Sequence, residues 1–236
     1  MERIDKIVAV SLGVSRNDAR SLVKKGCVTV NGETVKSISD RFDEKTAAVV
    51  CNGKNLCYSR YVYIMMNKPK GVVSASEGER ARNVVDILPD EMKRKNLFPA
   101  GRLDKDTTGF VLITDDGDFA HKILSPKNHI PKTYIATLDK PFDENVITAF
   151  RQGVQLKDAL CQSAQITAVE GDFTKAEVTI SQGMYHQIKR MFAKFGITVL
   201  ELERIKMGAL FLDKSLASGE CRYMTSEEIE MIKNGI

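Results

Sequence analysis

An arginine and a carboxylate two positions apart, inside a glycine-bounded segment, are the residues of this chain best suited to chemistry. They lie in Gly101-Arg102-Leu103-Asp104-Lys105-Asp106-Thr107-Thr108-Gly109, just ahead of the apolar run Phe110 to Ile113. Glycine at both ends admits turn geometries that other residues resist, and the strand-like run that follows anchors the loop to a scaffold. An ionised Asp104 in such a loop can serve as a nucleophile or as a base. Asp104 and Asp106 also have the residue types of a two-carboxylate hydrolase. Side chains at i and i+2 of an extended loop, however, point to one side at short separation, and no separate acid accompanies them. A lone loop aspartate among basic residues more often caps a turn or pairs at the surface, so Asp104 needs partners from other segments.

Three segments could supply them: Asn67-Lys68-Pro69-Lys70-Gly71, Lys132-Thr133-Tyr134, and Gly183 to Met191. Taken singly, each has an ordinary structural explanation. A strand tyrosine such as Tyr134 usually packs against its neighbours. Ile188, Met191, Phe192 and Phe195 follow i, i+3, i+4, i+7 spacing and read as the buried face of a helix. His186 reads as a capping or supporting residue. The histidines His121, His129 and His186 and the cysteines Cys27, Cys51, Cys57, Cys161 and Cys221 share no metal-ligand spacing. Free thiols and no metal are expected.

The elements that must position these residues point to an α+β fold with two unequal domains, residues 1–59 and 60–236. Strands are expected over Tyr61 to Met66, Phe110 to Thr114, Thr133 to Leu138, Gln165 to Val169 and Ala176 to Ile180. Helices are expected over Asp118 to Leu124, Glu144 to Gln152 and Tyr185 to Phe195. No regular βαβ rhythm links them, which favours a mixed sheet over a doubly wound one. In the first domain, Ser15 to Asp18 has the form of a capping box opening a helix that ends near Gly26. Cys27 to Val30, Asn31-Gly32 and Glu33 to Val35 then read as a hairpin.

The net charge of +4 is concentrated in that first domain. Residues 1–60 hold 11 Lys/Arg against 7 Asp/Glu, a balance of +4, whereas residues 61–236 hold 24 of each. Arg16, Arg20 and Lys24 recur every fourth residue, with Lys25 beside them, and make a positive ridge suited to a row of phosphates. No apolar stretch approaches the roughly 20 residues that span a bilayer, and the N-terminus lacks the layout of a secretory signal, so the expected location is the cytoplasm.

Arg3-Ile4-Asp5, Ser15 to Arg20 and Gly26 to Gly32 match the patterns R-x-D, S-R-x-x-A-R and G-x-V-x-V-N-G, and this region resembles the S4 RNA-binding module. A further set of landmarks follows in order: Asn67 to Gly71, Gly101 to Asp104 with Thr107 to Gly109, Thr114 to Gly117, Ser125-Pro126, Lys132 to Tyr134, Tyr185 to Phe192, and Leu216 to Glu220. With them the chain resembles the RsuA-type pseudouridine synthases over nearly its whole length. The resemblance implies a small S4-type helix and hairpin domain followed by a larger mixed-sheet catalytic domain. It also implies isomerisation of uridine in ribosomal RNA, most closely that of the small subunit. The large subunit and a non-enzymatic S4 assembly factor stand as alternatives.

Carried over by position, the resemblance makes Asp104 the catalytic carboxylate, Tyr134 the ring that packs on the target base, and Lys189 the cation beside the carboxylate. It implies RNA contacts by Arg102, Lys68 and Arg190 and by Arg16, Arg20, Lys24 and Lys25. The reaction needs no cofactor. A monomer acting on ribosomal RNA or a pre-ribosomal small-subunit particle is expected. One departure from the family pattern stands at Gln182-Gly183-Met184, where an acidic residue at 182 and an arginine or lysine at 184 are expected.

Overall fold

The computed structural model describes residues 1–43, 46–56, 58–76, 81–128 and 130–233; Cys57 and His129 lie outside the described residues. The chain divides into two compact units, Met1–Tyr61 and Val62–Ile236. Among the described residues no helix is long and apolar enough to cross a membrane. Cys27, Cys51, Cys161 and Cys221 are free thiols, as their scatter predicts.

The first unit runs β1 (Glu2–Arg3), α1 (Ile4–Leu12), α2 (Arg16–Lys24), β2 (Val28–Val30), β3 (Glu33–Thr34), β4 (Arg41–Phe42), β5 (Val49–Cys51) and β6 (Lys54–Leu56). Ser15 caps α2: its Oγ accepts from the Asp18 amide at 3.2 Å and donates to the Asp18 carboxylate at 2.6 Å. Asn31 and Gly32 sit at φ 51° and 86°, the paired positive values that let a two-residue turn follow the twist of β2 and β3. Ile4, Ile7 and Val8 of α1 pack with Ala19 and Val23 of α2 and with Val28 and Val30. Helix α1 is not expected from the sequence, because no side chain caps it and its apolar residues are not confined to one stripe.

The second unit is built on a nine-stranded sheet. Its elements are β7 (Tyr63–Lys68), β8 (Phe98–Pro99), β9 (Thr108–Thr114), α3 (Gly117–Leu124), β10 (Lys132–Leu138), α4 (Glu144–Gln152), β11 (Gln165–Val169), β12 (Asp172–Ile180), α5 (Gln187–Ala193), β13 (Val199–Met207), β14 (Leu210–Phe211), β15 (Cys221–Tyr223) and α6 (Ser226–Lys233). The main order is β11-β12-β10-β13-β9-β7-β15, with β8 on β9 and β14 on β13. Among the described strands only β13 and β9 pair in parallel. The mixed sheet expected from the irregular alternation of elements is the one observed.

Both faces of this sheet are covered at β7 and β9, which explains why these two strands read as nearly continuous apolar runs, whereas β11, β12 and β13 expose alternate residues. Strand side chains alternate, so Ile64, Met66, Val111 and Ile113 face one way and Met65, Phe110 and Leu112 the other. The first face packs on α4 and α5, where Phe150 and Phe192 meet with ring centroids 4.9 Å apart. The second packs on α3 and α6 through Phe119, Ile123 and Ile232. Burying each such side chain stabilises by roughly 1.5–3 kcal/mol relative to exposure.

One row of paired residues crosses the middle of the sheet: Lys68 on β7, Gly109 on β9, Arg204 on β13, Tyr134 on β10 and Val178 on β12. Two buried cations and a tyrosine therefore lie in register on a face that is otherwise apolar, beside the loop that carries Asp104.

Candidate active site

The segment between β8 and β9 is held by hydrogen bonds from three directions. The Leu103 amide donates to Ser74 Oγ at 3.0 Å, the Gly71 amide donates to Lys105 O at 2.8 Å, and the Thr107 amide closes a turn onto Asp104 O at 3.1 Å. From beneath, the Lys68 ammonium donates to Thr107 O at 2.7 Å, Pro69 O at 3.0 Å and Lys105 O at 3.4 Å. Lys68 has no exposed surface. This corrects the expectation that it contacts RNA: its donors are consumed by backbone carbonyls, and no face is left for a phosphate. Burial pushes its pKa down to about 8 against the opposing pull of Asp106 and Asp104, and Arg204 adds to the depression.

Asp104 opens into a small surface pocket together with Arg102, Thr107, Tyr134, Met184 and His186. Three of the residues singled out by the resemblance thus meet at one concavity although Tyr134 comes from β10, beyond α3. The Asp104 carboxylate is about a quarter exposed, and His186 Nε2 lies 3.5 Å from its Oδ1. Tyr134 is 8% exposed and belongs to the apolar core on one side while its ring lines the pocket on the other.

Lys189 is not beside Asp104. Its ammonium donates to Asp106 Oδ2 at 2.5 Å, and that bond holds the Asp106 carboxyl below its ordinary pKa. The turn between Asp104 O and the Thr107 amide accounts for the difference, since it ends the extended conformation in which i and i+2 carboxylates share a side. Asp104 faces the pocket while Asp106 meets α5. Arg190 is ion-paired with Asp158 and donates to Tyr185 O at 3.2 Å.

Residues 62–194 match the model of the RNA pseudouridylate synthases, and residues 2–46 match that of the S4 domain. The chain belongs to the RNA pseudouridylate synthase family. A ribosomal small subunit pseudouridine synthase A of Vibrio vulnificus is 42% identical over 98% of this chain and 99% of its own. The protein of that name from Escherichia coli is 40% identical over 98% and 99%. An uncharacterised RNA pseudouridine synthase of Bacillus subtilis is 40% identical over 98% of each chain. A crystal structure of a pseudouridylate synthase superposes with a TM-score of 0.68 at 37% identity, covering 98% of this chain and all of that one.

As a pseudouridine synthase the chain is an isomerase acting on RNA, and two residues near the Asp104 loop carry little signal in the sequence: Arg204, paired with Gly109 and Tyr134 in the sheet, and His186, which lines the pocket. Arg204 is 2% exposed; its Nε donates to Phe110 O at 2.7 Å, while its Nη2 is one of two buried side-chain polar atoms without a partner among the described residues. The other is Thr107 Oγ1, at the pocket. Unsatisfied buried polar groups are rare enough that two around one loop mark it as built for more than stability. The signal for Arg204 is the alternation in Leu200-Glu201-Leu202-Glu203 that betrays β13. His186 carries no such signal: it stands at the head of α5 in the left-handed region, φ 47°, without capping the helix through its side chain.

The departure at 182 to 184 is absorbed without a charge. Gln182 Oε1 accepts from the Gln162 amide at 2.8 Å and from Gln187 Nε2 at 3.4 Å, so an amide oxygen serves where a carboxylate was expected. The Met184 amide donates to Gln187 Oε1 at 3.1 Å, and its side chain gives the pocket an apolar edge.

In the S4 unit, Arg3, Arg16 and Arg20 converge on one carboxylate, at 3.1, 3.4 and 3.1 Å from Asp5. Asp5 is fully buried. Burial pushes its pKa up, but the bonds from Arg20 and Arg3 and the charge of Arg16 outweigh that and hold it low. Three cations around one anion leave an excess of two charges at a surface where Arg16 and Arg20 remain about two-fifths exposed. The ridge expected from their spacing is thus partly neutralised at its base, and Lys24 and Lys25 continue it as exposed residues.

Proposed function

We propose that this enzyme isomerises a specific uridine of small-subunit ribosomal RNA to pseudouridine, with Asp104 as the catalytic carboxylate. The observation that carries the reading is the meeting of Asp104, Tyr134 and Arg102 at one pocket. The reaction breaks the bond from uracil N1 to C1′, turns the base, joins C5 to C1′ and releases the C5 proton, leaving the atom count of the substrate unchanged. It therefore requires an anion near C1′, a flat surface for the freed base and a proton acceptor, but no external group. Asp104 acts at the sugar as nucleophile or base. Tyr134 stacks on the uracil, and its hydroxyl relays the C5 proton.

A stacked uridine cannot reach Asp104, so the nucleotide is extruded from the RNA at a cost of roughly a few kcal/mol. Arg102, at the rim of the same pocket, stabilises the space it leaves. Lys189 and Asp106 pin the loop to α5, which makes Lys189 a positioning residue. The S4 unit holds the RNA by its phosphates through Arg16, Arg20, Lys24 and Lys25. The two small-subunit synthases named above support the choice of RNA, and the enzyme acts as a monomer in the cytoplasm on free RNA or a pre-ribosomal particle.

The test is Asp104→Asn in the full chain, with pseudouridine mapped in unmodified small-subunit RNA by carbodiimide-dependent reverse-transcription stops. The stop disappears while RNA affinity stays within about twofold of wild type, because the carboxylate acts on the bond being broken rather than on binding. Normal product formation by this variant would refute the role of Asp104.

A further inference from the structure

We propose that the outer face of Tyr185 is a stacking platform for an unpaired nucleobase next in the RNA to the uridine that enters the pocket, an inference that rests on the uridine-isomerising function proposed above. Apart from the N-terminal Met1, no large apolar side chain among the described residues is more exposed than Tyr185, at 76%. Its ring is not loose on the surface. It lies on the His186 imidazole with centroids 3.8 Å apart and planes 17° apart, and its carbonyl oxygen accepts from Arg190 Nη1. His186 in turn lines the pocket and reaches to 3.5 Å from Asp104. A two-ring column therefore leads from the carboxylate outward, with a spacing close to the ~3.4 Å rise of stacked bases along a strand.

His186 covers one face of the phenol and leaves the other to solvent. The surroundings favour a base over a phosphate as its occupant. Lys189 is bonded to Asp106, Arg190 to Asp158, and position 184 holds a methionine. The lip is thus rich in flat and apolar surface, while its neighbouring cations are already paired. Extruding one nucleotide leaves the next without its stacking partner, and an aromatic ring replaces that partner whatever the base. The backbone supports a placed ring rather than an accidental one, since His186 occupies a left-handed conformation that non-glycine residues adopt at a cost.

The experiment uses the full chain and unmodified small-subunit RNA transcript, with steady-state kinetics read at the mapped uridine. Tyr185→Phe keeps KM within about twofold, whereas Tyr185→Ala and Tyr185→Leu raise it about tenfold with kcat nearly unchanged, the pattern of weakened binding with intact chemistry. An abasic site beside the target uridine raises the wild-type KM by a similar factor and adds nothing further in Tyr185→Ala. An unchanged KM in Tyr185→Ala, full activity in Tyr185→Leu, or multiplying effects of abasic site and variant would each overturn the platform; the second outcome would point to a protein contact needing only apolar surface. If wild type makes no pseudouridine, the functional proposal fails by itself. The platform is then judged by fluorescence anisotropy on labelled single-stranded oligouridylate, where Tyr185→Ala must still weaken binding about tenfold and equal affinities would overturn it.

Discussion

Lys68 shows how a side chain can brace the loop that carries the proposed catalytic carboxylate from inside the fold. It is buried, it joins three carbonyls of the segments around Asp104, and its pKa is pushed down to about 8. Between about pH 8 and its unfolded value near 10.5, the unfolded chain holds a proton on this amine that the folded chain has released. Stability contributed at this site therefore rises with pH across that window. Lys132, also pushed down to about 8 by burial, contributes in the same direction. Urea unfolding at pH 7.5 and 9.5 should show Lys68→Met losing about half of this gain rather than all of it, because Lys132 remains. An identical pH difference in wild type and variant would mean that Lys68 is not held as described. At pH 7 the same substitution leaves carbonyls without donors and costs about 1–3 kcal/mol. Lysine in the Asn67 to Gly71 landmark was legible as significant but not as buried: composition marks lysine as a surface cation, and only the pairing of β7 with β9 shows it entering the sheet. Asp104 and Tyr134 stood out because each lies in a landmark that keeps its order along the chain, Gly101 to Asp104 and Lys132 to Tyr134, and the structure brings the two to one pocket. The partner of Lys189 depends on a turn of a few residues, which spacing does not encode.

At the scale of elements, the site depends on how closely β9 approaches β13. Gly109 lies at φ 93°, and a Cβ there would sit 2.3 Å from Arg204 O and 2.9 Å from Arg204 N. No side chain can give way, because both atoms are backbone. Gly109→Ala should therefore cost about 3 kcal/mol or more, by strain at the residue and by parting the parallel pair that aligns Arg204 with the Asp104 loop. Gly53, at φ 77° but with open space around it, is the control, and Gly53→Ala should cost only about 1 kcal/mol. Chemical denaturation of the two variants compares them directly, and equal losses would show that left-handed geometry rather than close approach governs Gly109. The same closeness explains what was legible in the fold. Helix Glu144–Gln152 and strand Gln165–Val169 stand where the residue pattern puts them, since each carries its own periodicity. Strand β13 was missed although it lies at the centre, because its charged residues at Glu201, Glu203, Arg204 and Lys206 resemble a surface segment. Nor does any local pattern reveal that Asn67 and the Leu216 to Glu220 segment clasp one another, with the Asn67 side-chain amide donating to Leu216 O at 2.9 Å and the Gly219 amide to Asn67 O at 2.7 Å. That clasp joins residues far apart in the chain, and distance along the sequence hides it.

At the scale of the whole molecule, the excess charge and the proposed chemistry belong to different units. The first 60 residues hold the entire excess of +4, whereas the rest is balanced at 24 charges of each sign. Attraction to a polyanion should thus be separable from catalysis. Lys24 and Lys25 are the cleanest probes, since Arg16 and Arg20 are bound to Asp5 and their removal would also leave a buried carboxylate short of partners. Each phosphate that the protein no longer neutralises flattens the dependence of log affinity on log salt by about 0.7 to 0.9. A Lys24→Ala, Lys25→Ala double variant should therefore reduce the slope by about 1.4 to 1.8 while leaving kcat at saturating RNA within about twofold of wild type. Tyr185→Ala should behave in the opposite way, weakening RNA binding with an unchanged salt slope, because stacking on a neutral ring releases no counterions. Affinity measured from low to moderate salt with wild type and both variants distinguishes the two kinds of interaction. If the lysine variant lowered affinity by the same factor at every salt concentration, the basic ridge would not be reading phosphates, and the charge asymmetry of the chain would need another explanation.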